Sequence, residues 1–211
     1  SKISTPEFTK NVDELRVGKS NIRQIVTDNA LRDIEFEQDA RFVAYCERIC
    51  GGAAGTIGAS GSAQWHETTA AITRDSYVDS ISHLEDMTLN NGMFLANRKT
   101  ANQFVKFGRE EAGGDLAEKL MLKGREALVD GIVMNIPHAF TIKSTLIPFN
   151  RVMQFTTPDY LGRAYVLEDT TMYVEKKKDM LRFSAVKKLG VTIANVAGVA
   201  IQDFDTDTDR T

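Results

Sequence analysis

Two cysteines and three histidines are the side chains of this sequence best suited to metal binding or nucleophilic chemistry. Cys46 and Cys50 stand four residues apart, so a helix would carry both thiols on one face. A structural metal site needs about four ligands, and the histidines, at positions 66, 83 and 138, form no second pair at a suitable spacing. The pattern therefore predicts two buried thiols that pack as small hydrophobic side chains in a protein assembled inside a cell, with no metal and no cofactor.

The stretch Gly51–Gly61 contains five glycines, and glycine-rich loops can hold phosphate groups. A P-loop also needs a lysine after its last glycine, and a dinucleotide loop follows a strand and opens a helix. This stretch has no lysine and follows a predicted helix. Its segment Gly58-Ala-Ser60-Gly61 is one residue short of the Gly-x-Ser-x-Gly elbow of serine hydrolases. The stretch therefore predicts a mobile connection, no catalytic residue is assigned, and the protein is not expected to be an enzyme.

Charged side chains form clusters at the end of the chain. Residues 203–209 alternate aspartate with other residues but lack the glycine and glutamate of a calcium loop, which favours a solvated acidic tail. Lys176-Lys-Lys178 and Lys187-Lys188 form a basic cluster. Lysine at the edge of a sheet discourages stray strand pairing, so an edge is the preferred interpretation, and a surface that faces a polyanion is the alternative.

The composition is that of an ordinary globular protein. The chain has 211 residues, of which 42% are hydrophobic and 26% charged, enough for one domain or two small ones with a sizeable core. Its net charge of -3 argues against a dedicated binder of duplex DNA or of an anionic membrane. No apolar run reaches the roughly 20 residues of a membrane span, and no secretion signal is recognised, so no membrane association is expected.

A long helix is predicted over residues 28–50, with Thr27 or Asp28 as its cap and Gly51 after its end. Its apolar stripe is broken in the middle by Glu35 and Gln38. Such a break is typical of a long helix that is partly solvated or that contacts a neighbour. The residues of the stripe are Leu31, Ile34, Phe42, Tyr45, Cys46 and Ile49.

The other predicted elements place helices first and strands second, which indicates an α+β fold. Residues 1–26 form an arm with a possible strand at 21–26, and a second helix covers 75–90. Residues 93–96 form a short strand, Asn97 caps a short helix, and a second glycine-rich loop covers 108–114. The candidate strands are Ala127–Ile136, Phe140–Leu146, Arg151–Thr156, Ala164–Leu167, Thr171–Lys177, Leu181–Val186 and Val191–Phe204. The predicted turns between them are at Asn150, Pro158-Asp159, Glu168-Asp169, Lys178-Asp179 and Gly190.

Several segments, in order along residues 27–205, resemble the major capsid proteins of tailed bacteriophages, the Hong Kong 97 fold family. The acidic and aromatic segment Glu37-Gln-Asp39-Ala-Arg-Phe42-Val-Ala-Tyr45 resembles part of the family's spine helix. The later segments resemble its recurring Gly-Ile, Ile-Pro-x-Asn and Leu-Gly motifs and its closing strands. They are Val129-Asp-Gly131-Ile, Ile147-Pro148-Phe-Asn150, Pro158-Asp159-Tyr160-Leu161-Gly162, Phe183-Ser-Ala185 and Gly190-Val-Thr-Ile-Ala-Asn195.

The resemblance implies a fold with a long spine helix, a peripheral domain with a β-sheet, and a mixed axial domain. Residues 1–26 would be an arm or the remnant of a truncated extended loop, and 27–96 the peripheral domain. Residues 97–175 would be the axial domain, and 176–211 the return strands and a polar tail. The candidate assembly or flexible residues are Glu37, Asp39, Phe42, Tyr45, Gly51, Gly61, Gly113, Gly114, Asp159, Tyr160, Leu161 and Gly162.

The implied function is that of a virion shell subunit, assembled in the host cytoplasm. It would form hexamers and pentamers of an icosahedral shell that encloses double-stranded DNA without reading its sequence, with portal, scaffolding and decoration proteins as further partners. One alternative is an encapsulin-like nanocompartment shell that encloses enzymes. The other is a small α+β hydrolase or ligand-binding domain, with Gly51–Gly61 as a lid over a pocket near Trp65 and His66.

Overall fold

The structure, a computed structural model of the chain, describes residues 2–5, 8–11, 22–51, 64–68, 72–105, 114–131, 135–141 and 146–204. They divide into two compact units, one of Ser1–Phe42 with Arg163–Thr192 and the other of Val43–Gly162 with Ile193–Thr211. The helices are α1 Ile22–Cys50, α2 Arg74–Glu85, α3 Arg98–Val105, α4 Gly114–Lys123, α5 Arg125–Val129 and α6 Pro158–Leu161. The strands are β1 Lys2–Ser4, β2 Phe8–Asn11, β3 Trp65–Thr68, β4 Asn91–Asn97, β5 His138–Thr141, β6 Arg151–Thr156, β7 Gly162–Lys177, β8 Met180–Ile193 and β9 Val199–Phe204.

The chain passes from one unit to the other at 42/43, 162/163 and 192/193, whereas the predicted domain borders follow residues 26, 96 and 175. The sequence borders followed changes in residue pattern along the chain. The units follow contacts, which bring the first 42 residues together with a hairpin more than 120 residues later. The assignment of peripheral and axial domains stays a prediction.

The long predicted helix is confirmed, and it begins six residues earlier than expected, at Ile22. The strand expected at 21–26 is therefore wrong, and so is the cap at Thr27 or Asp28. Thr27 lies inside α1, and its hydroxyl donates to the Met172 sulfur at 3.5 Å. The β-branched residues of this segment favoured a strand locally, but packing within a long helix overrode that weak preference.

The face of α1 that is buried differs in part from the predicted stripe. Ile34 and Cys46 are buried as expected, whereas Leu31 and Tyr45 are exposed. The small side chain of Ala30 lies in the core in place of the neighbouring Leu31. A small side chain allows close approach of a neighbouring element, which a hydrophobicity stripe does not register. Among the residues of α1 whose burial the structure describes, the buried ones are Ala30, Ile34, Val43, Cys46 and Cys50.

In the first unit, β8 lies at the centre of a four-stranded sheet and pairs with β1, β2 and β7. Both β1 and β2 run antiparallel to β8. Strand β1 pairs with Val186–Lys188 of β8, and β2 pairs with Met180–Phe183. The core beneath consists of Ile3, Ala30, Ile34, Ala185 and Leu189, with Met172 and Val191 packed against it.

β7 and β8 form one long hairpin, with its turn at Lys178-Asp179 as the sequence predicted. Three other predicted turns are wrong. Glu168-Asp169 lies inside β7, Gly190 lies inside β8, and Pro158-Asp159 begins the short helix α6. Polar residues and glycine read as turns locally, but a solvent-facing strand tolerates them.

The second unit contains a mixed five-stranded sheet in the order β3-β9-β6-β4-β5. β3 is parallel to β9 and β4 to β5, while β6 runs antiparallel to both of its neighbours. Helix α2 was predicted over 75–90 and ends at Glu85; Thr73 caps it through the Ser76 amide. The core residues of this unit include Tyr77, Phe94, Phe104, Leu128, Val152 and Phe204.

Two local predictions in this unit are confirmed and one is wrong. β4 includes the expected 93–96, and the Asn97 side chain caps α3 by accepting from the Lys99 amide at 2.8 Å. Where a strand over 127–136 was predicted, residues 125–129 form helix α5 and 130–131 a turn, while 132–134 lie outside the described residues. Helix α4 precedes them, in a segment for which no element was predicted. The sequence spacing of Leu116, Leu120 and Lys123 is that of a helix. The alternating pattern that predicted a strand over 127–136 obscured this helical signal.

Candidate assembly surface

Strand β7 combines length, apolar side chains and an uncovered edge. Among the strands that the structure describes, it pairs with β8 alone. Tyr165, Val166 and Leu167 are consecutive and all exposed, with Leu167 84% exposed. Consecutive strand residues point to opposite faces, so both faces of the strand present apolar groups to solvent at this point. A long, apolar, exposed edge strand is a liability in a monomer unless another chain covers it.

An open groove lies beside the same strand, with a volume of about 480 Å³. Its apolar part is formed by Tyr165, Leu167 and Leu189, and two lysines, Lys2 and Lys188, border it. The Lys188 ammonium is paired with the Glu168 carboxylate at 2.6 Å. An apolar surface between lysines suits a segment that carries both apolar and acidic side chains.

The predicted basic cluster is split by the structure. Lys176 and Lys177 are exposed at the end of β7, on the edge strand, as the edge interpretation predicts. Lys187 and Lys188 lie on β8, where they pair with β1. The lysines of β7 are therefore the ones open to a partner.

The acidic and aromatic segment of α1 does not converge on one face. Glu37 and Asp39 are two residues apart, which places them on roughly opposite sides of the helix. Glu37 accepts from the Arg41 Nε at 2.8 Å, and Arg41 also donates to the Lys2 carbonyl at 3.1 Å. Phe42 is half-buried, while Asp39 and Tyr45 are exposed. The segment thus ties the helix to β1 on one side and leaves Asp39 open on another.

The predicted segment 159–162 forms the junction between α6 and β7. Tyr160 is 64% exposed, and the Leu161 carbonyl accepts from the Ala194 amide at 2.9 Å. Gly162 has φ 149°, a conformation that strains residues with a side chain. The role of this segment in assembly stays a prediction.

The other glycines singled out from the sequence are only partly described. Gly51 ends α1 with φ 127°, and its amide donates to the Glu47 carbonyl at 3.0 Å. Gly114 begins α4. Gly61 and Gly113 lie outside the described residues, as do most of the two predicted mobile loops.

A network around Arg151 was not foreseen. Its guanidinium binds both carboxylate oxygens of Asp203, at 2.6 and 2.7 Å, and the Glu47 carboxylate at 2.7 Å. It also lies 4.8 Å from the centre of the Trp65 ring. The network joins the C-terminal end of α1 to β6, β9 and β3. Because its members are far apart in sequence, no spacing could have indicated it.

Two buried or half-buried histidine arrangements account for the histidines as structural groups. His138 donates from Nδ1 to the Ile136 carbonyl at 2.8 Å and accepts from the Tyr77 hydroxyl, and burial lowers its pKa to about 4. His66 stacks on His83 at 3.4 Å, and burial lowers the pKa of His83, whose Nε2 bonds Gln202 at 2.9 Å. Trp65 and His66, proposed from the sequence to line a pocket, thus contact Arg151 and His83.

The cysteines are buried as predicted, and burial raises the pKa of each thiol to about 12. Within the described ranges, no group of three or more His, Cys, Asp or Glu side chains could hold a metal ion. None of the described helices is long and apolar enough to cross a membrane.

No family model matches the chain, and no curated protein matches it either. Solved structures do match over nearly its whole length. A virus-like particle protein from Pyrococcus furiosus is 12% identical, with TM-score 0.64, and the match covers 96% of this chain and 76% of that one. A protein from the capsid of a native GTA particle is 16% identical, with TM-score 0.64 and coverage of 96% and 72%.

An encapsulin from Synechococcus elongatus PCC 7942 matches less closely. It is 12% identical, with TM-score 0.55, and the match covers 96% of this chain and 73% of that one. At such identities the likeness establishes the architecture alone. The chain therefore has the mixed α+β fold of the Hong Kong 97 type, which is the fold of phage capsid proteins.

Proposed function

We propose that this protein is a major capsid subunit of a tailed bacteriophage, which self-assembles into hexamers and pentamers of an icosahedral shell around double-stranded DNA. The observation that carries the proposal is the match of 96% of the chain to shell-forming proteins at TM-scores of 0.64. A shared fold does not by itself give a shared function, so the proposal also needs a surface suited to assembly.

The edge strand β7 supplies that surface. It carries Tyr165, Val166 and Leu167 in the open, beside the groove at Leu189. Subunits of a closed shell contact one another through different patches around each ring, so every subunit must expose apolar surface before assembly. A monomeric enzyme or ligand-binding domain has no such need.

The charge of the chain suits a wall around DNA. A protein that binds duplex DNA tightly neutralises many phosphates with lysine and arginine, and its affinity falls steeply with salt. The chain has 26 basic and 29 acidic residues and a net charge of -3. The subunit would hold DNA by enclosing it, without sequence-specific contacts and without catalysis. Portal, scaffolding and decoration proteins would be its other partners, and assembly would occur in the host cytoplasm before the subunit becomes part of the virion.

An encapsulin-like shell is the second candidate, because the encapsulin of Synechococcus elongatus shares the fold with a TM-score of 0.55. The capsid proposal is favoured since the match to the GTA capsid is higher, at 0.64. The two candidates differ in the contents of the shell and not in the architecture of its subunit.

The test is to express the complete gene product, purify assemblies by sedimentation, treat them with nuclease and image them by electron microscopy. The capsid proposal expects closed icosahedral particles built from hexameric and pentameric rings. Any double-stranded DNA packaged inside these particles should be protected from the nuclease. Particles of the same form that consistently retain one enzyme and no DNA would support the encapsulin-like alternative. A chain that stays monomeric at high concentration would contradict both.

A further inference from the structure

The charges along β7 are arranged so that two antiparallel copies of the strand would place opposite charges side by side. Glu168 and Asp169 lie at one end of the segment 168–177, and Lys176 and Lys177 lie at the other. Between them are the apolar residues Met172, Tyr173 and Val174. An antiparallel pair of identical strands therefore brings the acidic end of each copy beside the basic end of the other.

The two faces of this segment are not equivalent. Glu168, Thr170 and Met172 are half-buried, and Met172 packs against the core of its own unit. Asp169 and Tyr173, with Thr171 between them, are exposed. The even-numbered residues face the core of their own unit. The odd-numbered residues, including Lys177, lie on the solvent face, where they can contact side chains of a neighbouring strand.

Symmetry restricts how two copies can pair. A two-fold axis that relates antiparallel neighbours in one sheet is perpendicular to the sheet, so each residue opposes one of the same face. An axis at Tyr173 places Tyr173 opposite its own copy, Met172 opposite Val174, and Asp169 opposite Lys177. Aromatic pairs and opposite charges are the favourable cross-strand neighbours in a sheet.

Other symmetric registers are less favourable. An axis at Met172 opposes Asp169 to Glu175, and an axis at Thr170 opposes Arg163 to Lys177. An axis at Asp169 opposes that carboxylate to its own copy. Like charges directly opposite each other destabilise a sheet, and the register centred on Tyr173 opposes Asp169 to Lys177 without any like pair within β7. An axis at Val166 does the same with Arg163 and Asp169, and the aromatic pair at Tyr173 favours the Tyr173 register over it.

We propose that β7 is a two-fold interface, at which its outer edge pairs antiparallel with β7 of a second copy of this chain about an axis at Tyr173. The inference rests on the proposed function, because it names one of the contacts that a self-assembling shell would use. It joins the two sheets into one continuous sheet and satisfies the outward backbone groups of both edge strands. A single strand pair buries less than the roughly 1,200 Å² of a stable interface, so the contact is weak alone and acts together with others in the lattice.

A disulfide across the axis tests the register. Opposed residues in an antiparallel pair have Cα atoms about 4.5–5.5 Å apart, within the range of a disulfide. Tyr173→Cys is expected to give disulfide-linked dimers when assemblies are oxidised, as seen on a non-reducing gel. Tyr165→Cys is the matched control, because it lies on the same strand, with 58% exposure against 48% for Tyr173. The native Cys46 and Cys50 are buried and do not compete.

The control is expected to give no dimer, alone or mixed with Tyr173→Cys, since residue 165 opposes no β7 residue in the proposed register. Dimers between the two variants would indicate the axis at Asp169 and would overturn the proposed register. Absence of both the Tyr173→Cys dimer and the mixed dimer in assembled particles would overturn the interface itself.

Charge reversal provides a second readout. In the Tyr173→Cys background, Asp169→Lys or Lys177→Asp alone is expected to lower the dimer yield about five-fold, and the two together are expected to restore it. If the lysines instead contact nucleic acid, Lys177→Asp lowers the DNA content and the double reversal does not rescue the dimer, which overturns the proposal.

The outcomes separate this inference from the proposed function. Closed particles in which neither the Tyr173→Cys dimer nor the mixed dimer forms overturn the interface and leave the capsid proposal intact. Cross-linked dimers of a chain that never forms particles support the interface and contradict the capsid proposal.

Discussion

Arg151 and Asp203 oppose each other on the neighbouring strands β6 and β9 and form a two-point ion pair, Nε to Oδ1 at 2.6 Å and Nη2 to Oδ2 at 2.7 Å. The third polar contact of the guanidinium is the Glu47 carboxylate, near the C-terminal end of α1. The forked guanidinium matches two oxygens of one carboxylate, a geometry that a lysine cannot reproduce. Through its contact with Glu47, the paired Arg151 fixes the C-terminal end of α1 to the sheet of the second unit.

Replacing Arg151 is expected to destabilise this unit. Arg151→Lys keeps the charge and loses the fork, and Arg151→Met leaves two carboxylates without their cation. The unfolding free energy should fall by about 2 kcal/mol for the methionine variant, and by less for the lysine variant. Urea unfolding followed by circular dichroism measures both. Lys123→Met is the control, since Lys123 and Asp130 are exposed and 3.6 Å apart, and a change within about 0.5 kcal/mol is expected. Equal effects at the two sites would contradict the role of Arg151.

The stability of the second unit should depend on pH through His138. Burial lowers the pKa of His138 from 6.5 to about 4, so the unfolded chain binds a proton at pH values where the folded chain does not. The contribution of neutral, buried His138 to the unfolding free energy is therefore fully present above pH 6.5 and is lost as the pH falls toward about 4. The unfolding free energy should fall by about 3 kcal/mol over this range. Unfolding free energies of the wild type and His138→Gln between pH 7.5 and about 4 measure the difference. The two proteins should differ in slope, and parallel curves would refute the assignment.

Gly92 should tolerate no side chain. A Cβ at this position would lie 2.7 Å from the backbone of Thr156 and Thr157, at an irregularity in the pairing of β4 with β6. Because backbone atoms cannot move aside cheaply, Gly92→Ala should lower the unfolding free energy by about 1–3 kcal/mol. Gly190 offers a matched control, since nothing lies within 4 Å of its added Cβ. Gly190→Ala should leave the stability unchanged or raise it by about 0.5 kcal/mol. A stable Gly92→Ala protein would contradict the close approach.

The two cysteines should be chemically silent in the folded protein. Both thiols are buried with a pKa of about 12, raised mainly by burial, and the Cys50 thiol donates to the Val199 carbonyl at 3.4 Å. At pH 8 such a group holds about 1,000-fold less thiolate than a free thiol of pKa 9. A disulfide reagent should therefore label neither residue in the native state and both in guanidinium chloride. Rapid labelling of the native protein would show that this end of α1 opens readily.

Local chemistry was sufficient to predict several elements. The long helix ending at Gly51, the cap at Asn97, the strand Arg151–Thr156 and the turn at Lys178-Asp179 all depend on residues adjacent in sequence. Side-chain spacing also indicated the buried thiols. The resemblance of ordered segments to a capsid family then gave a fold that the solved structures support.

Sequence by itself determined the α+β class, the C-terminal end of α1 and the cap of α3 at Asn97, because each of these depends on neighbours along the chain. Only the tertiary structure decided that 162–177 is one edge strand, that 114–129 is helical, and that Arg151 meets Glu47 and Asp203. Those features depend on residues that are distant in sequence and close in space, such as the 52 positions between Arg151 and Asp203. A local pattern reports preference, whereas pairing and burial against distant partners choose which preference is realised.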